Sequence, residues 1–325
     1  LRELIPPPQA DPVYGEHPMT RAFRPFLPVC ILLLTPWVQA APSRTFSIED
    51  AMRVRDAGDA SLSPDGTRIA YTLTVPRRPG TDDNGPAWSE LHVVPFQGGA
   101  DRTFVGGKVN ASHPRWSPDG TRIAYLSKRG DDEKISLWII PADGGESVRL
   151  FGGKSDVSTF EWRPDGRAIA FIAADPLPEE IEKLRKKGFD QVVYEEDWQP
   201  RHVQVAEVPE PLAAAPPPRI LETPGGQPFH LAWGPDGGRL AVDLAPTPLI
   251  DDEYMSRRLH VLDAKSGAVT AVVDNRGKLG PFRFSRDGQA LLFISAASLN
   301  DTREGRLMIA PVSGGAPRDL MPDLE

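Results

Sequence analysis

One short phrase recurs five times along this chain. A large apolar residue is followed by a turn ending in Asp-Gly, and an apolar triplet comes soon after. The clearest copy is Trp116-Ser117-Pro118-Asp119-Gly120, leading into Ile123-Ala124-Tyr125. The others are Leu62-Ser63-Pro64-Asp65-Gly66 before Ile69-Ala70-Tyr71, Trp162-Arg163-Pro164-Asp165-Gly166 before Ile169-Ala170-Phe171, Trp233-Gly234-Pro235-Asp236-Gly237 before Leu240-Ala241-Val242, and Phe284-Ser285-Arg286-Asp287-Gly288 before Leu291-Leu292-Phe293. Internal repetition at this scale is the mark of solenoids and propellers. Pro presets φ at the second turn position, Asp tolerates the third, and Gly closes a type I turn. The triplet does not alternate, so it reads as a strand buried on both faces.

A second half follows each turn. Leu91-His92-Val93-Val94, Leu137-Trp138-Ile139-Ile140, Leu259-His260-Val261-Leu262 and Leu307-Met308-Ile309 each run into a glycine-containing turn; Val203-Gln204-Val205 runs instead into Pro-rich sequence. Short strand-like pieces come next, such as Arg102-Thr103-Phe104 and Arg219-Ile220-Leu221. Each unit therefore holds four strands and two hairpins, which is a propeller blade. The predicted fold is all-β: a β-propeller of four-stranded blades, five recognisable, with a short N-terminal helix and one helical insert. The sequence stops just after the fifth blade's last strand, so these blades read as part of a larger, truncated propeller whose first and last blades must meet.

The 35 prolines and 29 glycines sit largely in these turns, as many short strands require. A net charge of −8 with no basic stripe argues against a nucleic-acid partner. The single cysteine, Cys30, excludes an internal disulfide framework. It lies in a segment with the form of a secretory leader: Arg21 and Arg24, the apolar run Phe26 to Leu34, then Val38-Gln39-Ala40 before Ala41. That run is too short to span a bilayer. The expected organisation is an upstream extension over 1–18, a signal peptide over 19–40, a helix and linker over 41–59, and blades over 60–325 with an insert at 175–202. The mature chain is expected to be secreted or periplasmic and free of the membrane.

Ser47-Ile48-Glu49-Asp50 has the pattern of a capping box, predicting a short helix that runs through Arg55 and ends at Gly58. In the long insert, Glu179 to Lys187 reads as a helix with Glu179–Lys183 and Glu182–Lys186 pairs, basic residues in its last turn and Gly188 beyond.

Three features together resemble the N-terminal propeller of the prolyl oligopeptidase family of serine peptidases, in its acylaminoacyl-peptidase and dipeptidyl-peptidase-like branch. They are the stretch from Phe46-Ser47-Ile48-Glu49-Asp50 to Ser63-Pro64-Asp65-Gly66, the run Leu137 to Gly145, and the charged insert before Tyr194-Glu195-Glu196-Asp197. The likeness covers roughly Thr45 to Glu325. It implies a propeller that caps a C-terminal α/β-hydrolase domain of the same polypeptide and admits short peptide substrates to it. That hydrolase carries a Gly-x-Ser-x-Gly elbow and a Ser-Asp-His triad. No Gly-x-Ser-x-Gly occurs here, so no catalytic residue is assigned and peptidase chemistry is expected outside this chain. The resemblance also implies that Glu195 and Glu196 hold a substrate's free amine, since a desolvated ammonium needs paired carboxylates. The same acidic run also reads as a solvated loop face, which is the commoner case and the favoured reading from sequence.

No metal or cofactor is expected. The histidines lack ligand spacing, and His92 and His260 hold equivalent strand positions, which suits packing or hydrogen bonding. Gly106-Gly107-Lys108 and Gly152-Gly153-Lys154 lack the full phosphate-loop spacing and read as hairpin ends. Two functions remain open. One is the substrate-gating domain of a secreted serine peptidase. The other is a non-catalytic periplasmic scaffold of the Tol-Pal type, whose propellers share the turn repeat.

Overall fold

The computed structural model describes residues 45–130, 132–152, 154–196, 198–223, 225–296, 298–299 and 305–323. The expected upstream extension (1–18) and signal peptide (19–40), with Cys30, lie outside the described residues.

Helix α1 (Ile48–Ala51) opens the described fold, and both halves of its capping box form. The Ser47 hydroxyl accepts from Asp50 N–H, while the Asp50 carboxylate accepts from Ser47 N–H. The helix stops at Ala51 rather than running to Arg55. Its residues bury nothing, and a capped turn without a packed apolar face does not propagate. The chain enters β1 (Ala57–Leu62) three residues before the expected start of the blades.

Four-stranded antiparallel units follow. Blade 1 is β1, β2 (Arg68–Val75), β3 (Trp88–Pro95) and β4 (Arg102–Val105). Blade 2 is β5 (Asn110–Trp116), β6 (Arg122–Lys128), β7 (Ser136–Pro141) and β8 (Val148–Phe151). Blade 3 holds β9 (Val157–Trp162), β10 (Ala168–Ala174), then α2 (Glu179–Lys186), β11 (Arg201–Glu207) and β12 (Arg219–Leu221). Blade 4 holds β13 (Gln227–Trp233), β14 (Arg239–Ala245), then α3 (Ile250–Met255), β15 (Arg258–Asp263) and β16 (Val269–Val272). Blade 5 is β17 (Leu279–Phe284), β18 (Ala290–Ser295), β19 (Arg306–Pro311) and β20 (Arg318–Asp319). Blades 1 and 2 share a sheet through one parallel bridge, Ser89 with Asn110. First strands of successive blades pack one on the next, from β1 through β5, β9 and β13 to β17. The fold is a β-propeller of four-stranded blades.

The repeated phrase builds the first hairpin of each blade. In blade 1, Gly66 N–H donates to Ser63 C=O at 2.8 Å, and Ser63 N–H to Arg68 C=O at 2.8 Å. The closing glycines, Gly66, Gly120, Gly166, Gly237 and Gly288, have φ of +72°, +70°, +72°, +67° and +68°. This left-handed region is one that a Cβ disfavours. Asp65 accepts from the Ser63 hydroxyl and from Thr67, which holds its carboxyl down at about 2.

Hydrophobic clusters fill the gaps between consecutive blades. Ile123 and Tyr125 face blade 1, with Leu91 and Val93; Ala124 and Leu126 face blade 3, with Phe160 and Phe171. The strand period of two thus sends alternate side chains into different gaps, which is why the triplet looks continuously apolar. Further clusters join blades 3 and 4 and blades 4 and 5. The triplets of blades 2, 3 and 4 are fully buried, whereas Ile69, Tyr71 and Leu292 in the end blades are half-buried.

Helix α3 departs from the expectation of a single helical insert. At six residues, it is too short for a helical period to show in sequence. The Gly106-Gly107-Lys108 and Gly152-Lys154 segments connect one blade to the next, rather than closing hairpins within a blade. Among the described residues, no helix is long and apolar enough to cross a membrane.

Candidate functional site

The inner edge of the propeller is where its blades converge. Every first strand carries a register shift before its apolar anchor, as between Gly58 and Ser61, Ser112 and Arg115, Pro228 and Leu231, and Leu279 and Phe282. Such bulges turn backbone N–H groups away from the ladder and call for other partners. In β5 the bulged His113 has φ +52°, and its N–H donates to Asp59 Oδ2 of blade 1 at 3.0 Å. In β13 the N–H groups of Phe229 and His230 donate to Asp243 Oδ1 at 3.3 and 2.5 Å.

Asp243 is fully buried and bears further contacts. Arg257 Nη1 donates to its Oδ2 at 2.6 Å, and His230 Nδ1 lies 2.9 Å from the same oxygen. Arg257 Nη2 donates across to Leu279 C=O of blade 5 at 2.6 Å. A buried carboxylate persists only when paired and hydrogen-bonded in this way.

Each anchor tryptophan donates its indole N–H to the preceding blade. Trp116 reaches Ser61 C=O at 3.0 Å, Trp162 reaches Arg115 C=O at 3.1 Å, and Trp233 reaches Glu161 C=O at 3.1 Å. The acceptor is always the residue just before the preceding anchor. In blade 5 the anchor is Phe284, which has no such donor.

The residues at that preceding position are Ser61, Arg115, Glu161, Ala232 and Arg283. Because Ala232 is small, Glu161 of blade 3 reaches past blade 4 to Arg283 of blade 5, at 2.5 Å from Nη1 to Oε1. The other oxygen of Glu161 accepts from Trp233 N–H at 3.2 Å. Burial pushes the Glu161 carboxyl up, opposed by the guanidiniums of Arg283 and Arg115 and by the Trp233 N–H. Arg283 thus pairs directly with Glu161 across blade 4, and the Arg115 guanidinium favours the ionised form from further off. Most of the Arg283 side chain remains exposed, leaving donors for an incoming carbonyl or carboxylate.

Glu195 and Glu196 lie elsewhere, in the loop after α2. Both are exposed, with Glu195 at φ +61° and Glu196 N–H donating to Val193 C=O at 3.2 Å. Among the described residues no hydrogen bond or ion pair joins them to Arg115, Glu161 or Arg283; Asp197 lies outside the described residues. The insert is tethered at its base, where Gln199 Nε2 donates to Asp175 C=O at 2.6 Å and His202 Nε2 lies 3.1 Å from Asp175 Oδ2. His92 is buried between Asp101 (2.6 Å) and Glu90 (3.1 Å), while burial pushes His260 down. No group of three or more potential metal-binding side chains occurs among the described residues.

The sequence did not single out the Arg115–Glu161–Arg283 cluster or the Asp243–Arg257–His230 network. The first is visible once the repeats are aligned on their anchors, since the preceding position carries three charges in five copies. The second leaves no such trace, because the chain returns from β14 to Arg257 only through α3.

No family model matches the chain. A stretch of 103 residues is 31% identical to dipeptidyl-peptidase 5 of Porphyromonas endodontalis, covering 31% of this chain and 14% of that protein. Among solved structures, acylaminoacyl peptidase of Pyrococcus horikoshii superposes with a TM-score of 0.57 at 12% identity, over 85% of this chain and 41% of that one. A putative TolB from Agrobacterium tumefaciens gives 0.51 at 15% identity, over 82% and 80%. The structural likenesses establish the propeller fold, and the sequence likeness is to a peptidase. The chain matches 14% of the length of the first peptidase and 41% of the second.

Proposed function

We propose that this chain is the substrate-gating propeller of a secreted or periplasmic serine peptidase, whose α/β-hydrolase domain belongs to the same, longer polypeptide. The observation that carries this reading is the 31% identity to dipeptidyl-peptidase 5, because the fold alone is shared with a TolB-like propeller. The mechanism is steric and electrostatic. Short peptides pass the inner edge of the blades, where Arg115 and Arg283 offer donors, and folded or long chains are held out. Glu195 and Glu196, on the exposed insert, are the candidates for binding a peptide's free amine.

The peptidase and scaffold readings diverge downstream of Glu325. The coding sequence beyond it is expected to continue into a domain with Gly-x-Ser-x-Gly; a stop after one or two further blades overturns the peptidase reading. This chain alone is expected to leave aminoacyl nitroanilides intact, and turnover would show that catalysis resides here after all.

A further inference from the structure

A second concave surface lies at the other end of blade 1 from its Asp-Gly turn. It forms between the segment after α1 and the long connection from β2 to β3, and encloses about 920 Å3. That is within the range of small-molecule sites, roughly 300–1,000 Å3. Its walls are braced. Arg77 Nε donates to Pro86 C=O at 2.7 Å and Nη1 to Asp83 C=O at 2.8 Å, and its guanidinium stacks 3.9 Å from the Trp88 ring centroid. Arg78 N–H donates to Asp82 Oδ2 at 2.8 Å, closing the same connection on itself.

In a chain of net charge −8, this cleft gathers five cations and three carboxylates. The carboxylates are already engaged. Asp82 is held by Arg78, Glu90 accepts from Gly107 N–H at 2.7 Å and contacts His92, and Glu49 is turned to its own backbone and to Ser47. Among the described residues, the side chains of Arg53 and Arg55 form no hydrogen bond or ion pair, and Lys108 acts only at longer range, on Asp82. Beside them Met52, Val75 and Trp88 give apolar lining. Unspent positive charge over an apolar wall suits an anion carrying a hydrophobic group. A bare inorganic anion would leave that wall wet, and a neutral apolar ligand would leave the cations unused.

We propose that this cleft binds an amphipathic carboxylate of about the size of an acylated amino acid or dipeptide, its carboxylate between Arg53, Arg55 and Lys108 and its side chain against Trp88. The site stands independently of the peptidase reading.

The test is calorimetric titration of the full chain with N-acetylphenylalanine, with its neutral amide, and with inorganic phosphate. The acid is expected to bind about tenfold or more tightly than the amide, since a charge-assisted contact is lost in the latter. Its affinity should fall at high salt, and phosphate should compete weakly. The double variant Arg55→Ala/Lys108→Ala should weaken the acid by at least about tenfold, while Lys265→Ala, in the exposed turn between β15 and β16, should not. Both variants alter exposed side chains, and circular dichroism checks that each folds. Equal binding of acid and amide, unchanged binding by the double variant, or no binding of the acid would overturn the proposal. Tight phosphate binding that excludes the acid would do so as well.

Discussion

At the scale of single residues, the indole ladder gives the sharpest test of how blades are joined. Trp162→Phe keeps an aromatic anchor but deletes the donor to Arg115 C=O. It is expected to cost about 1–2 kcal/mol in urea unfolding, one hydrogen bond and a little packing. Phe171→Ala, which empties a fully buried position packed on Phe151 at 4.6 Å, should cost about 3–5 kcal/mol. The turn aspartates should govern acid stability. Asp65 has a carboxyl at about 2 when folded, against an unfolded value of 3.8. Its contribution is therefore complete above about pH 4 and lost as pH falls through about 2. Asp65→Asn should flatten the dependence of unfolding midpoint on pH in that window; an unaltered slope would show that the Ser63 and Thr67 bonds do not favour the ionised form.

At the scale of elements, the sequence was read well where one residue type has one physical reason. The Asp-Gly turns are such a case, because only glycine takes φ near +70° without strain. The apolar triplets are another, although the exposure of Ile69 and Leu292 shows that burial on both faces depends on having a blade on each side. Elements set by tertiary context were less legible. Helix α1 stopped early for want of a packed face, and α3 is too short to show a period. The long insert kept its predicted helix, Glu179–Lys186 ending before Gly188, with the Glu179–Lys183 pair at 3.6 Å. It buries no residue of α2, so removing residues 179–196 should shift the unfolding free energy by no more than about 0.5 kcal/mol. In the longer polypeptide the same deletion should abolish any preference for substrates with a free amino end. Unchanged selectivity would remove Glu195 and Glu196 as amine ligands.

At the scale of the whole molecule, up-and-down blades separate two kinds of connection. The Asp-Gly turns and the glycine-containing hairpins before the fourth strands emerge at one end, and the longer connections, including the α2 and α3 segments, at the other. Loops free of the tight-turn requirement can vary and carry function. The inner edge joins the two ends, and there Glu161 of blade 3 pairs with Arg283 of blade 5. Glu161 joins blades 3, 4 and 5 through the Trp233 N–H and Arg283, and under the gating role proposed above the exposed Arg283 would meet an incoming peptide. The decisive comparison is the kcat/KM of the longer polypeptide for aminoacyl peptides of rising length, in wild type and in Arg115→Ala/Arg283→Ala. A steep fall with length in the wild type, relaxed in the variant, is expected of a gate; hydrolysis indifferent to length in both, or absent altogether, would contradict it.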